Sequence, residues 1–222
     1  VNLIDYAVHW FGTAANWSGP DGIPARLLQH LSYSGLALLI AAAIGIPLGL
    51  VLGHTGRGAF AVINLANAAR AVPTLGLLTL VVVAVSIGVL PVLVALIALA
   101  VPPILVNTYE GIRTVDPELT DAAHGMGMTG PQVLLRVRFP VALPLVFLGL
   151  RLAAIQIVST ATIAAYVGLG GLGRFIIDGI ERQDYASTVG GAVLAVLLAL
   201  LAEVVFVVAA RLLVSRGVRA RA

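Results

Sequence analysis

Residues 71–109 read AVPTLGLLTLVVVAVSIGVLPVLVALIALAVPPILVNTY, 39 consecutive positions without an Asp, Glu, Lys or Arg. At a rise of about 1.5 Å per residue, one straight helix of that length would be nearly twice the roughly 30 Å hydrocarbon core of a bilayer. Backbone in lipid must satisfy its polar groups internally, which favours helices. The run therefore folds back on itself, and the sharp break near its middle is Ile87-Gly88-Val89-Leu90-Pro91. Two spans joined by almost no loop are expected.

Charged residues punctuate the rest. An apolar stretch from about Leu31 to Gly53, with Pro47 inside it, precedes the hairpin as a first span. After a polar segment from Glu110 to Arg138, apolar stretches at about Pro140–Val167 and Thr188–Ala210 supply a fourth and a fifth span. Gly168–Ser187 forms a short polar loop between them. The expected fold is all-α, a polytopic membrane protein of five transmembrane helices. Its parts are an N-terminal segment (1–30), the spans (31–210) and a basic tail (211–222).

Composition supports this reading. Of 222 residues, 60% are apolar and 10% charged, against roughly 25% charged in a soluble domain. With no Cys, disulfide scaffolds and thiolate metal or iron–sulfur sites are excluded, and no other metal site is expected. The 13 basic residues are scattered, which argues against nucleic acid. All 13 are Arg. A phosphate-binding G-x-x-x-x-G-K-[ST] loop needs a lysine, so any ATP-driven process here relies on another subunit.

Five spans place the termini on opposite sides. Assigning the tail to the cytoplasm gives that face Arg57, Arg113, Arg136, Arg138, Arg211, Arg216, Arg219 and Arg221, and leaves Arg26, Arg174 and Arg182 outside. Excess arginine marks the cytoplasmic side, so the N-terminus is outside and Glu110–Arg138 is cytoplasmic. The first 30 residues lack the basic leader and long apolar run of a cleavable signal. Ile4, Trp10, Phe11 and Trp17 fit a segment anchored at the outer interface by its indoles; a loosely ordered tail is the alternative.

Within the polar segment, residues 116–140 read DPELTDAAHGMGMTGPQVLLRVRFP. Asp116 is a good N-cap and Pro117 suits the first helical position. Gly125 and Gly127 stop that helix. Thr129 and Pro131 open a second short helix, Gln132–Arg138, ahead of Pro140. The tip is built from Ala122, Ala123 and Gly127, small enough for another protein surface to approach.

Asp121-Ala122-Ala123, three residues, Gly127, nine residues, then Val137-Arg138-Phe139-Pro140 is similar to the E-A-A-x3-G-x9-I-x-L-P signature of ABC importer permeases. The departures are Asp for Glu, Val for Ile and Phe for Leu. The segments IPLGLVLG, AVPTLGLL, NTYEGIRTVDPELTDAAHGMGMT and GLGGLGRFIIDGI resemble the osmoprotectant (glycine betaine, carnitine, choline) subfamily. The resemblance implies a type I importer permease in a bacterial or archaeal inner membrane. It implies that the loop 111–139 docks on a cytoplasmic ABC ATPase dimer through Asp121, Ala122, Ala123, Gly125, Met126 and Gly127. It also implies a second permease chain, identical or homologous, and an extracytoplasmic substrate-binding protein that docks on outer loops including 168–187. No cofactor is expected in this chain; ATP and Mg belong to the partner ATPase. Importers of other small solutes, including amino acids, share the loop and remain an alternative.

Gly168-x-Gly170-x-x-Gly173 satisfies a dinucleotide fingerprint but follows a membrane helix, not a strand of a βαβ unit. It reads as a tight outer turn leading into a short helix, about Arg174–Glu181, or as a gate at the outer mouth. Arg70, Arg151 and Glu203 fall at similar depth in the inner half of the bilayer. Intramembrane charges seek partners, so Glu203 is expected to pair with Arg151 or Arg70, unless Arg70 lies on an approach helix and Arg151 snorkels. Gln156, Ser159, Thr160 and Ile163 share one face of span four, and Asn64, Asn67 and Thr74 one face of span two. These faces line a pathway at a two-fold interface or pack helices through small polar groups. Aromatics do not cluster in the spans, so recognition of a quaternary ammonium, which favours aromatic cages, is expected to reside in the external binding protein. An intramembrane enzyme would need Ser/His, Glu/His or paired Asp at depth. The four His lie outside the spans or at their edges and the one deep acid is Glu203. A structural anchor for a cytoplasmic complex is the third class.

Overall fold

The computed structural model describes residues 2–69 and 71–215. Arg70 and the tail arginines Arg216, Arg219 and Arg221 lie outside the described residues. Strands are absent among the described residues. The helices are α1 (Leu3–Gly12), α2 (Ile23–Thr55), α3 (Ala59–Ala69), α4 (Thr74–Val85), α5 (Val89–Arg113), α6 (Pro117–Gly125), α7 (Gly130–Val133), α8 (Phe139–Thr160), α9 (Gly173–Glu181) and α10 (Tyr185–Leu213). A five-residue π turn, Leu134–Arg138, joins α7 to α8, and a 3-10 segment, Ala161–Val167, extends α8. Gln132–Arg138 is therefore not a separate helix as expected; it runs into the fourth span.

Four stretches are long and apolar enough to cross a membrane: α2, α5, Gly130–Val167 and α10. The helices α3 and α4 are long and apolar enough only when taken together, as a broken span or a re-entrant loop. Pro73 sits at its N-cap position just before α4, where a residue without an N–H is tolerated. Because of this break Asn64 and Asn67 stand on α3 and Thr74 on α4, so the three do not share one helix face.

Chain contacts form two compact units. One comprises Leu39–Val72, Ala98–Ala153 and Glu203–Ala222. Its packing runs through glycines spaced four apart, the small-residue device that lets membrane helices approach closely. An added Cβ at Gly45 would stand 2.9 Å from Ile104 Cγ2, at Gly49 2.6 Å from Thr108 Cβ, and at Gly53 2.7 Å from Ile112 Cβ. Both partners advance together, so α2 and α5 are parallel. Gly149 faces Pro103 and Asn107, while Gly111 faces Ala142; α8 therefore runs antiparallel to α5.

The other unit comprises Val1–Leu38, Pro73–Ile97 and Ala154–Ala202. Val158, Leu172 and Leu198 form its buried cluster, with Leu27, Phe175 and Leu194 against them. Trp10 is buried within this unit: its ring packs on Gly190, with the Phe175 ring edge-on at 5.0 Å. Trp17 stays half-exposed and donates its indole N–H to the Phe11 carbonyl at 2.8 Å. His30 and Gln29 clamp the turn after α8. The Leu172 N–H donates to His30 Nδ1 at 3.4 Å, so the opposite ring nitrogen, 2.9 Å from the Val158 carbonyl, carries the proton and donates. Gln29 Oε1 accepts the Gly171 N–H at 3.0 Å. Side chains at Gly170 and Gly173 would collide with Gln29 and with the Thr162 carbonyl. The glycine fingerprint is thus a packed structural turn.

Candidate coupling and translocation site

Helix α6 is set by its ends. Asp116 accepts the Glu118 N–H at 2.9 Å, Pro117 occupies the first turn, and Glu118 and His124 complement the helix dipole at either end. At the far end Met128 N–H bonds the Ala123 carbonyl at 3.1 Å and Gly127 N–H the His124 carbonyl at 2.9 Å. Gly127 between them has φ +84°. That is a Schellman termination, which wants glycine at its left-handed residue. A Cβ at Gly127 would meet no neighbour within 4 Å, so conformation, not space within the chain, calls for glycine there.

The two faces of α6 differ. Thr120 and Ala123 are buried, Ala123 to 2% exposure. Arg138 Nε donates to Thr120 Oγ1 at 3.4 Å and ties α6 to the π turn. The opposite face shows Leu119, Ala122 and Met126 at the i, i+3, i+7 spacing of one helical stripe, with Met126 72% exposed. Asp121, Gly125 and Gly127 are also exposed. Ala123 packs the elbow against its own chain. Leu119 was not read from the sequence, although its spacing from Ala122 was available there. The α7 start is fixed by Gln132 Oε1, which accepts the Thr129 N–H at 2.8 Å. A Cβ at Gly130 would lie 3.5 Å from His54 Nε2, which puts this elbow at the Thr55 end of α2.

The family described as binding-protein-dependent transport system inner membrane component matches residues 45–219. This chain belongs to that family. It is 34% identical over 191 residues to the glycine betaine/carnitine/choline transport system permease protein OpuCB of Bacillus subtilis, covering 86% of this chain and 88% of that one. It is 33% identical over 180 residues to the osmoprotectant import permease protein OsmW of Salmonella typhimurium, covering 79% and 84%. Among solved structures it is similar to the MetNI methionine ABC transporter in an inward-facing form, with TM-score 0.72 and 26% identity over 85% of this chain and 94% of that one. An amino acid ABC transporter shares the fold at TM-score 0.70 and 18% identity, over 95% and 98%. The fold is that of a type I ABC importer permease. The chain is a permease subunit and not an enzyme.

Within this permease Arg151 Nε lies 3.3 Å from Glu203 Oε2, both side chains about one-third exposed. The alignment falls short of a hydrogen bond, so charge attraction holds the pair. It joins α8 to α10 at membrane depth, where removing one member strands the other charge. Gln156, Ser159 and Thr160 fall on one face of α8, Ser159 exposed and the other two half-buried. Ile163 belongs to the 3-10 segment, whose tighter winding takes it off that stripe. Asn64 and Asn67 are exposed and Thr74 half-buried. The Asn64 amide donates back to the Phe60 carbonyl at 2.7 Å, so its oxygen remains available. Nothing local marks the Gln29–His30 clamp; a lone histidine at a span edge carries no such signal.

Proposed function

We propose that this chain forms part of the translocation pathway of an ATP-driven importer for a small osmoprotectant such as glycine betaine, carnitine or choline. The observation that carries this reading is α6: a short capped helix, held on its inner side by Thr120 and Ala123 and free along Leu119, Ala122 and Met126. A rigid elbow tied to two spans is a lever by which an outside motor moves the bundle. In this reading α6 faces the cytoplasm and docks on an ABC ATPase dimer that binds ATP and Mg. A second permease chain completes the pathway, with Asn64, Asn67, Thr74, Gln156, Ser159 and Thr160 lining it. The exposed Val196, Leu197, Leu200 and Leu201 of α10 meet lipid. A binding protein delivers substrate to the Ile23 end of α2. The substrate class rests on the OpuCB and OsmW relatives.

The test is uptake into proteoliposomes holding this chain, its ATPase and its binding protein. ATP-dependent accumulation of glycine betaine, carnitine or choline is expected. Accumulation of methionine alone would move the assignment to the amino-acid class.

A further inference from the structure

We propose that a polar cavity at the Ile23 end of α2 receives one carboxylate side chain of the extracytoplasmic binding protein, with Arg182 as the recognising group. This rests on the importer reading and deepens it by naming what the partner inserts and where.

The cavity holds about 290 Å³ and is lined by Asp21, Arg26, Arg174, Asp178, Arg182 and Ser187, with Phe175 beside them. Three guanidinium groups face two carboxylates there. Two of the arginines are already engaged. Arg26 Nη2 lies 2.6 Å from Asp21 Oδ1, and its Nη1 donates to Gln29 Oε1 at 3.1 Å. Arg174 Nη2 lies 2.9 Å from Asp178 Oδ2, and its Nη1 donates to the Ala165 carbonyl at 3.4 Å. Arg182 is exposed and makes no ion pair among the described residues. The adjoining acids, Glu181 and Asp184, are not among the residues that line the cavity. Asp184 Oδ1 accepts the Ser187 N–H at 3.1 Å and so caps α10, and Glu181 is the adjacent helical residue, which points to a different side.

The backbone carrying Arg182 is fixed. Its N–H bonds the Asp178 carbonyl at 3.0 Å, the Gln183 N–H that of Ile180 at 3.2 Å, and the Asp184 N–H that of Gly179 at 2.8 Å. Gln183 sits between α9 and α10 at φ +57°, in the left-handed region of a Schellman termination that glycine usually occupies. The far wall is equally set, because Gln29 Oε1 accepts from both Arg26 and the Gly171 N–H. A guanidinium with a planar fork of donors matches a carboxylate, and a lining of three arginines to two aspartates favours an acidic side chain there. A free quaternary-ammonium zwitterion fits less well, since Phe175 is the one aromatic among the lining residues and such cations favour cages of several rings.

The test titrates the system's own binding protein onto the complete permease–ATPase complex in nanodiscs. Arg182→Glu is expected to weaken binding about tenfold, and Arg182→Lys to keep most of the affinity. The difference should shrink as salt rises from about 0.05 M to about 0.5 M. Reversing one acid on the binding protein to Arg should restore affinity for the Arg182→Glu complex. Elution of each variant as the intact complex on gel filtration guards against misfolding. Equal affinity of wild type, Arg182→Ala and Arg182→Glu overturns the inference and leaves the importer reading standing. Loss of direct glycine betaine binding in Arg182→Glu, with binding-protein affinity intact, overturns it in favour of a small-solute site. A wild-type complex that never binds the binding protein overturns both.

Discussion

Replacing Ala122 by Trp should abolish ATP-driven uptake while leaving the permease folded and present at normal level in the membrane. Ala122 lies on the free face of α6 between Leu119 and Met126, so its own chain has room for an indole. On the proposed docking, the groove of the ATPase has none. A misfit at the centre of an interface costs about 2 kcal/mol or more, which is about a thirtyfold loss of docking. The neighbouring Ala123→Trp should behave oppositely. Ala123 is buried against its own chain, and overpacking there lowers the amount of folded protein. Uptake and membrane level measured for both variants separate the two faces. Equal folding defects in both would mean that α6 has no free side.

The second large effect is at Gly49. A Cβ there stands 2.6 Å from Thr108 Cβ and 2.9 Å from the Leu105 carbonyl oxygen. Backbone cannot swing away as a flexible side chain can, so Gly49→Leu must separate α2 from α5. The permease is expected to fall to about a tenth or less of its wild-type level, a loss of the order of 1–3 kcal/mol of packing being decisive in a marginally stable protein. An added Cβ at Gly35 on the same helix meets nothing within 4 Å, so Gly35→Leu should be tolerated. Detergent-soluble, monodisperse yield of the two variants reads the difference.

Charge spacing and length made much of the architecture legible. The hairpin break falls where Ile87-Gly88 and Pro91 pointed: α4 ends at Val85 and α5 begins at Val89. The Asp116-Pro117 start of α6 and the short helix after the glycine turn were likewise written in local capping chemistry. Three features were not read. The break between α3 and α4 had its signals in Arg70 and Pro73, but an arginine there reads equally well as a charge within a span. The Gly45-Gly49-Gly53 seam carries small-residue spacing, yet spacing alone does not say which helix it meets. The burial of Trp10 depends on Gly190, nearly the whole chain away, and amphipathic indoles fit a membrane interface equally well.

The faces of α6 explain the split in the candidate site. Sequence named the tip Asp121, Ala122, Ala123, Gly125, Met126 and Gly127 as a unit, since the resemblance runs along the chain. Helical geometry then divides that unit: Ala122 and Met126 point away from the chain, and Ala123 points into it. For the intramembrane charges, helix registry was needed to bring Arg151 to Glu203.

The chain has no cysteine, so single thiols can be placed on this elbow without background. Met126→Cys, paired with cysteines lining the groove of the ATPase subunit, should form a disulfide in the assembled complex, whereas Thr120→Cys should not. A Met126 thiol that never crosslinks to the ATPase, and that an impermeant reagent labels from outside intact cells, would contradict the account.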